Sequence, residues 1–225
     1  MNIALFGGTF DPIHAGHLQA ARAASRRFRL GRVLFIPTGN PPHKYRDRLT
    51  AYPQRFAMVA LACADERRFI PSLLEAPAPH GGPQYSVDTV RAAKRLLRPG
   101  DRLFFLIGVD AFLDLPHWKE FRRLLDMVSF IVVSRPGFDP TSIGKTVPRD
   151  LLFKGRTSTE PGAFQLRHSA VHILRGVDVP VASRDIRDAI RAGRRVAGLV
   201  PPLVEQYILK EGLYRPRFGG KHRER

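Results

Sequence analysis

Cysteine is nearly absent from this sequence of 225 residues, which contains only Cys63. A single thiol can form no disulfide within the chain, and it cannot supply a Cys-rich zinc site. The sequence therefore excludes a small secreted fold held together by disulfides, and its cysteine usage is typical of a protein from a reducing compartment.

Long apolar segments are also missing. No apolar run approaches the roughly 18 residues that a membrane-spanning helix needs. The first ten residues, MNIALFGGTF, lack the basic start and the longer apolar stretch of a secretory signal peptide, and they are typical of a short buried strand that runs into glycines. We therefore expect a soluble, cytoplasmic protein without a membrane partner.

Acidic residues are scarce relative to basic ones. Twenty Asp and Glu stand against 37 Lys and Arg, which gives a formal net charge of +17. Such an excess favours polyanionic ligands, among them nucleotides, nucleic acids and acidic surfaces, without choosing between them. Part of the excess lies in clusters such as 26–29 and the tail 215–225, which we interpret as a solvated face and a flexible end. We expect no nucleic-acid partner, and whether the chain forms a homo-oligomer stays open.

The residues that are present follow the pattern of an α/β protein. Hydrophobic residues make up 44% of the chain, as in ordinary globular proteins. Short apolar runs, typical of strands buried on both faces, alternate with segments of helical periodicity. The apolar runs lie at 3–6, 33–36, 103–107 and 130–133, and the helical segments lie at 18–28, 53–64, 87–97 and 118–125.

This alternation predicts a doubly wound parallel sheet with helices on both faces, and a ligand crevice beyond the carboxyl ends of the strands. We expect a single domain over 1–214, with a small helical C-terminal annex, followed by the basic tail 215–225. Residues 136–168 show weak periodicity and are expected to form a long irregular connection. Beyond them, the pattern predicts a strand at 171–174 and helices at 185–192 and 203–211.

The segment 7–17, GGTFDPIHAGH, carries the strongest functional signal. Gly7 and Gly8 follow the first predicted strand, where glycine lets backbone N–H groups approach phosphate oxygens. His14 and His17 stand three apart at a predicted helix start, so they share a face beside an anion-binding helix terminus that favours neutral imidazole. Alternatively, His14 only caps the turn and His17 packs under the sheet. The combination of glycines, strand and helix favours phosphate binding.

These residues resemble the signature of the HxGH nucleotidyltransferases, a class that shares its Rossmann-like fold with class I aminoacyl-tRNA synthetases. Over nearly its whole length the chain also resembles the bacterial nicotinate-nucleotide adenylyltransferases. Five segments resemble the corresponding segments of that family. They are the loop 37–44, the turn 85–89, the segments 108–111 and 116–118, and the ending 200–214.

The resemblance implies that AMP is transferred from ATP to nicotinate mononucleotide in NAD biosynthesis, with Mg²⁺ carried on the triphosphate. It implies catalytic roles for His14 and His17. The ATP site is implied to comprise Gly7, Gly8, Thr9, Phe10, His14, His17, Asp110, Ser183 and Arg187. The site for the mononucleotide is implied to comprise Lys44, Ser86, Thr89, Trp118 and Arg135.

Several of these residues also have ordinary structural interpretations. Lys44 could pair with a phosphate or be a solvated lysine. Trp118, the only tryptophan, could stack on a base ring or belong to the core. Asp110 could bind ribose hydroxyls or cap a helix, and Ser86 could equally be a helix cap. Arg135 could reach a phosphate or form a surface ion pair.

The second phosphate motif, 181–187, departs from the family pattern. The family usually shows Ser-Ser-Thr or Ser-Ala-Thr before the acidic residue, whereas this chain has Ala182, Ser183 and Arg184. Ser183 and Arg187 keep positions at a predicted helix start that suit the leaving pyrophosphate. Arg184 either replaces the lost hydroxyl hydrogen bonds with charge or points to solvent.

Three other functions stay open at this point. Phosphopantetheine adenylyltransferases belong to the same class, but their chains are usually shorter and lack a segment like 41–44. A nicotinamide-mononucleotide adenylyltransferase would differ only in accepting an amide instead of a carboxylate, and the hydrogen-bond donors that would discriminate cannot be placed from sequence. Outside the class, the charge of +17 would suit a nucleic-acid-binding module.

Overall fold

The computed structural model describes residues 1–40, 49–78, 81–134, 141–153, 163–177 and 180–216. Seven strands in these ranges form one sheet in the spatial order β3-β2-β1-β4-β5-β7-β6. Their bounds are β1 Asn2–Gly8, β2 Leu30–Pro37, β3 Phe69–Pro71, β4 Arg102–Gly108, β5 Ser129–Val133, β6 Ala163–Gln165 and β7 Ala170–Leu174. All neighbouring strands run parallel except β6, which pairs antiparallel with β7 at one edge.

The direction of strand addition reverses between β1 and β4. The chain proceeds outward from β1 to β2 and β3, then returns to the other side of β1 with β4 and continues to β5. Ile3 of β1 accordingly pairs with Arg32 of β2 on one side and with Leu103 of β4 on the other. At such a reversal the connections that leave the two strands go to opposite faces of the sheet, which opens a crevice at their carboxyl ends.

Eight α-helices are found in the described ranges. They are α1 Ala15–Arg27, α2 Tyr52–Cys63, α3 Ser86–Arg95, α4 Val109–Leu113, α5 Phe121–Met127, α6 Thr141–Thr146, α7 Ser183–Arg191 and α8 Pro202–Lys210, with short 3₁₀ turns at Leu115–His117 and Arg149–Leu151. Local sequence explains the bounds of α8, because Pro202 occupies its first position and Gly212, with φ of 60°, follows its end.

The two faces of the sheet bury separate apolar clusters. Along β1 the side chains alternate, so Ala4 and Phe6 join the cluster under α1, α2, α7 and α8, whereas Ile3 and Leu5 join the cluster under α3, α4, α5 and α6. A central parallel strand covered on both sides must be apolar at every position, which accounts for the continuous run that starts the sequence.

The predicted α/β class, the parallel sheet and the helices on both faces are confirmed. The predicted strand at 171–174 is part of β7, and the helices predicted at 185–192 and 203–211 match α7 and α8 to within two residues. Helix α8 lies against α2, and its Val204 and Ile208 enter the same cluster as α1.

Two predictions need correction. The helix predicted at 118–125 begins only at Phe121, because Glu120 adopts a left-handed backbone with φ of 51° and Trp118 follows a 3₁₀ turn in an extended conformation. The stretch 136–168 is not irregular throughout, since α6, a 3₁₀ turn and β6 lie within it. Strand β3 and helix α4, which were not predicted, are three and five residues long and too short for a periodic signal.

No helix in the described ranges has both the length and the apolar character needed to cross a membrane. Two predicted site residues, Lys44 and Arg135, lie outside the described residues, as does the tail from 217 onward.

Candidate active site

A cleft of about 630 Å³ opens at the carboxyl ends of the central strands, where the strand pattern placed it. Gly7 and Gly8 line it at the end of β1, and Gly108 lines it at the end of β4. A side chain at Gly8 would be crowded, because an added Cβ would lie 3.0 Å from the Phe10 ring. Without side chains, the backbone of these glycines can approach a ligand closely.

His14 and His17 form a stacked pair at the start of α1. His14 is the N-cap residue, and its ring lies 3.7 Å, centroid to centroid, from the ring of His17, with the planes 27° apart. The backbone N–H of His14 donates to Nδ1 of His17 at 3.2 Å. Because Nδ1 of His17 accepts a hydrogen bond, a neutral His17 ring carries its proton on Nε2. Both residues line the cleft.

The two imidazoles are neutral near pH 7. Burial lowers the pKa of His14 from 6.5 to about 4, and burial together with the neighbouring His14 lowers the pKa of His17 well below 6.5. Nδ1 of His14 is buried, and no described residue supplies a hydrogen-bond partner for it. The pair can therefore offer hydrogen bonds to a polyanion without bringing a fixed positive charge.

The chain between β1 and α1 is shaped by Thr9 and Phe10. Phe10 is buried, adopts a left-handed backbone with φ of 48°, and packs its ring against the edge of His17 at 5.0 Å. Thr9 lines the cleft, and its carbonyl accepts a 2.8 Å hydrogen bond from the buried guanidinium of Arg55. Both residues were predicted to bind ATP. Thr9 faces the cleft, whereas Phe10 packs against the ring of His17.

Ser183 and Arg187, predicted to hold the pyrophosphate, contact the β1 to α1 loop. Ser183 is the first residue of α7 and lines the cleft, and its hydroxyl donates to the carbonyl of Pro12 at 2.9 Å. Nη1 of Arg187 donates to the carbonyl of Asp11 at 2.6 Å. Arg187 is not among the described residues that line the cleft, so its observed contact braces the loop.

Arg184 points to solvent. Its side chain is 83% exposed, and its Nε lies 3.7 Å from the carboxylate of Asp188 on the same helix. The structure therefore agrees with the interpretation in which the Arg184 guanidinium points to solvent, away from the cleft. An exposed ion pair of this kind contributes little to stability.

The opposite part of the cleft lies beside the start of α3, and we call it the α3 end. Ser86 and Trp118, which were predicted to contact the mononucleotide, line it together with Tyr85. Trp118 packs its ring edge against Phe105 at 6.4 Å, and its Nε1–H donates to Asp114 at 3.2 Å, which fixes the plane of the indole. Helix α3 begins at Ser86 with Tyr85 as its N-cap, so Ser86 is not the cap.

Thr89 and Asp110, also predicted as ligand contacts, are not among the described residues that line the cleft. Thr89 is buried within α3, and its hydroxyl donates to the carboxyl of Glu75 at 2.7 Å. Asp110 is exposed in the first turn of α4, although its neighbours Gly108 and Ala111 line the cleft.

Six further polar residues that line the cleft were not predicted from the sequence. They are Thr38, Glu75, Gln84, Asp114, Lys119 and Ser134. Glu75 and Gln84 lie in an irregular segment whose sequence shows no periodicity, and only the fold reveals that the Glu75 side chain is buried. Thr38 lies in the loop resembling the family's substrate loop, so for it a signal was available.

This chain is similar to known proteins over most of its length. Residues 5–192 match the family model described as Cytidylyltransferase-like. A protein of Geobacter sp. (strain M21) named "Probable nicotinate-nucleotide adenylyltransferase" is 39% identical over 217 residues, which cover 95% of this chain and 98% of that protein. A protein of the same name from Solibacter usitatus (strain Ellin6076) is 40% identical over 214 residues, covering 95% and 100%.

Solved structures share the fold at lower identity. The Plasmodium falciparum nicotinic acid mononucleotide adenylyltransferase complexed with NaAD is 20% identical, with a TM-score of 0.69, over 95% of this chain and 97% of that chain. The same enzyme complexed with APC gives a TM-score of 0.67 at 20% identity, over 95% and 96%. By its sequence relatives and its family model, the chain belongs to the nicotinate-nucleotide adenylyltransferases, a family of cytidylyltransferase-like nucleotidyltransferases.

Proposed function

We propose that this chain joins ATP to nicotinate mononucleotide, giving nicotinate adenine dinucleotide and pyrophosphate, as a cytoplasmic step of NAD biosynthesis. Support comes from the names of the sequence relatives and from the solved neighbour in complex with NaAD. The observation that carries the proposal is the stacked, neutral pair of His14 and His17 beside the glycines of β1, at the start of α1.

The reaction needs no protein nucleophile. An oxygen of the mononucleotide's 5′-phosphate attacks the α-phosphorus of ATP, a new phosphorus–oxygen bond forms, and the bond to the bridging oxygen of the β-phosphate breaks as pyrophosphate leaves. A phosphate monoester is already anionic near neutral pH, so the protein contributes alignment and stabilisation of the negative charge on the transferred and leaving groups.

In this proposal the triphosphate lies over the backbone of Gly7, Gly8 and Thr9 at the N-terminus of α1. His17 donates from Nε2 to a phosphate oxygen, and His14, which stacks on His17 and lines the cleft, offers its imidazole to a neighbouring oxygen. Ser183 adds a hydroxyl from the other side, and Arg187 holds the loop 11–12 in place through its contact with Asp11.

The mononucleotide occupies the α3 end of the cleft. The Trp118 indole, held by Phe105 and Asp114, offers a flat face on which a pyridine ring can stack. Ser86 supplies polar groups beside it. Lys44 and Arg135 are proposed to pair with phosphate groups, and Thr89 is proposed to act through its contact with Glu75 rather than by touching the substrate.

Magnesium is proposed to enter with ATP. In the described part of the chain no group of three or more His, Cys, Asp and Glu side chains comes together in a way that could hold a metal ion. Mg²⁺ commonly keeps several waters and binds through substrate phosphates, and it would here neutralise charge on the triphosphate while His14 and His17 contact the remaining oxygens.

One assay tests the function directly. Pyrophosphate release is measured with ATP, Mg²⁺ and, in separate reactions, nicotinate mononucleotide, nicotinamide mononucleotide and phosphopantetheine. We expect the fastest release with nicotinate mononucleotide. Equal or faster release with either alternative would assign the chain to that acceptor. Absence of release with all three, together with nucleic-acid binding that weakens steeply with salt, would favour a nucleic-acid-binding module.

A further inference from the structure

Glu75 is a buried carboxyl group in the cleft that the proposed reaction does not use. It is only 7% exposed, yet it lines the α3 end. A carboxyl removed from water is costly unless its oxygens are hydrogen-bonded. The hydroxyl of Thr89 meets this requirement directly, since it donates to the carboxyl at 2.7 Å, and the side chain of Thr38 lies close enough to lower the pKa of the same carboxyl.

These threonines connect Glu75 to both parts of the cleft. The backbone N–H of Thr38 donates to the carbonyl of Gly8 at 2.9 Å, and its hydroxyl lies 3.3 Å from the same oxygen. On the other side, the hydroxyl of Thr89 lies 3.3 Å from the carbonyl of Tyr85, the N-cap of α3. One carboxyl thus stands between the backbone of the proposed triphosphate site and that of the proposed mononucleotide site.

The surrounding chain is packed tightly around this connection. A Cβ added to Gly39 would lie 2.0 Å from the carbonyl oxygen of Glu75, so the segment after β2 approaches the segment before α3 as closely as glycine allows. Gln84 ties the same two segments, because its Oε1 accepts from the N–H of Asn40 at 3.1 Å and its Nε2 donates to the carbonyl of Ala76 at 3.1 Å. Glu75 therefore occupies the centre of a defined junction.

We propose that Glu75 is a positioning residue, which fixes the start of α3 relative to the end of β1 and so aligns the mononucleotide with ATP. The inference rests on the proposed function. Because the α-phosphorus and the attacking oxygen come from two substrates bound at opposite ends of the cleft, the rate depends on the distance and angle between those ends. Burial raises the pKa of the Glu75 carboxyl, and the hydrogen bond from Thr89 opposes that rise.

The test compares Glu75→Met with Glu75→Gln. Methionine keeps the length of the side chain without its hydrogen bonds, whereas glutamine keeps both a donor and an acceptor. We expect kcat/KM for nicotinate mononucleotide to fall by about tenfold or more in the methionine variant, as for the loss of a buried hydrogen bond. Glutamine should restore most of it, and KM for ATP should change by less than about twofold in both variants.

A second variant and a matched control guard against misfolding. Thr89→Val removes one hydroxyl with little change of shape and should reproduce part of the Glu75→Met effect. Glu211→Met, at an exposed position after α8, should leave all constants unchanged. A rise in KM for ATP equal to the rise in KM for the mononucleotide, or a glutamine variant as impaired as the methionine one, would overturn the positioning role.

The only tryptophan of the chain provides a readout that does not depend on turnover. Trp118 lines the α3 end, so quenching of its fluorescence by nicotinate mononucleotide reports binding there. Weaker quenching in Glu75→Met, with ATP affinity retained, is the expected result, and identical quenching curves would contradict it. If the wild-type protein quenches with the mononucleotide but releases no pyrophosphate, the proposed function fails while the role of Glu75 is still measured.

Discussion

The hydroxyl of Tyr214 donates a hydrogen bond of 2.7 Å to Oδ1 of Asp11, a residue 203 positions earlier in the chain. Asp11 is 2% exposed, and its other carboxylate oxygen accepts from the N–H of Thr50 at 3.2 Å. Burial and the neighbouring carboxylate raise the pKa of Tyr214, so its hydroxyl stays protonated and remains a donor. The end of the described chain thereby secures the loop that leads to His14.

Removal of this hydroxyl should destabilise the protein. In Tyr214→Phe the buried carboxylate of Asp11 loses one of its hydrogen-bond donors. The free energy of unfolding should therefore fall by about 1–3 kcal/mol. Urea denaturation measures the change. Tyr207→Phe serves as the control, since Tyr207 is only partly buried on α8 and should give a change within about 0.5 kcal/mol. Equal stability of Tyr214→Phe and the wild type would show that Asp11 does not depend on this bond.

His17→Ala should slow the chemical step by about a hundredfold or more, as for the loss of one preorganised donor to developing charge. Single-turnover formation of nicotinate adenine dinucleotide separates this step from product release. His168→Ala is the matched control, because His168 is exposed and pairs with Asp126 outside the cleft. A His17→Ala enzyme with wild-type turnover would rule out the proposed donor role.

Trp118→Ala should raise KM for nicotinate mononucleotide more than KM for ATP. The physical reason is that stacking on the indole contributes to the binding of the pyridine ring alone. Steady-state kinetics with each substrate varied in turn give the two constants. Trp118→Phe keeps a flat aromatic face and should show a smaller rise, whereas equal effects on both substrates would count against stacking.

The stability of the protein should decrease on mild acidification, in part because of His14. Its pKa is about 4 in the folded protein and near 6.5 when unfolded, so between these values the unfolded chain binds a proton that the folded chain does not. The contribution of His14 to the free energy of unfolding should therefore be fully present above about pH 6.5. It should decrease by about 3 kcal/mol as the pH drops to about 4.

Urea denaturation at about pH 7 and about pH 4.5 tests this dependence. His14→Asn retains a residue suited to an N-cap but has no titrating ring, so its loss of stability on acidification should be smaller. His117→Asn removes an exposed imidazole, 78% accessible, and should keep the wild-type dependence. Parallel pH profiles for wild type and His14→Asn would contradict the buried neutral state.

Features that depend on local sequence patterns could be predicted from the sequence. The fold class followed from apolar runs such as 3–6, because a strand buried on both faces must be apolar at every position. The His14 and His17 pair followed from a spacing of three at a helix start. The resemblance to the family assigned Trp118 to the substrate site. The helix predicted to begin at Trp118 starts instead at Phe121, because helical periodicity does not reveal the left-handed backbone of Glu120.

Contacts between residues far apart in the chain could not be predicted from local sequence patterns. The contact of Arg187 with the carbonyl of Asp11 and the contacts of Glu75 with Thr38 and Thr89 depend on segments brought together by the sheet order. No local pattern marks a glutamate in an irregular segment as buried, and none states that an arginine will brace a loop.

The amino-acid sequence by itself determined the alternation of strands and helices, the glycine and histidine motif, and the family. The tertiary structure alone decided which side chains face the cleft, that burial makes both imidazoles neutral, and that Tyr214 and Glu75 form hydrogen bonds with distant residues of the chain. The reason is physical: periodicity and backbone preference act over a few residues, whereas burial and hydrogen-bond partners arise only when the folded chain excludes water.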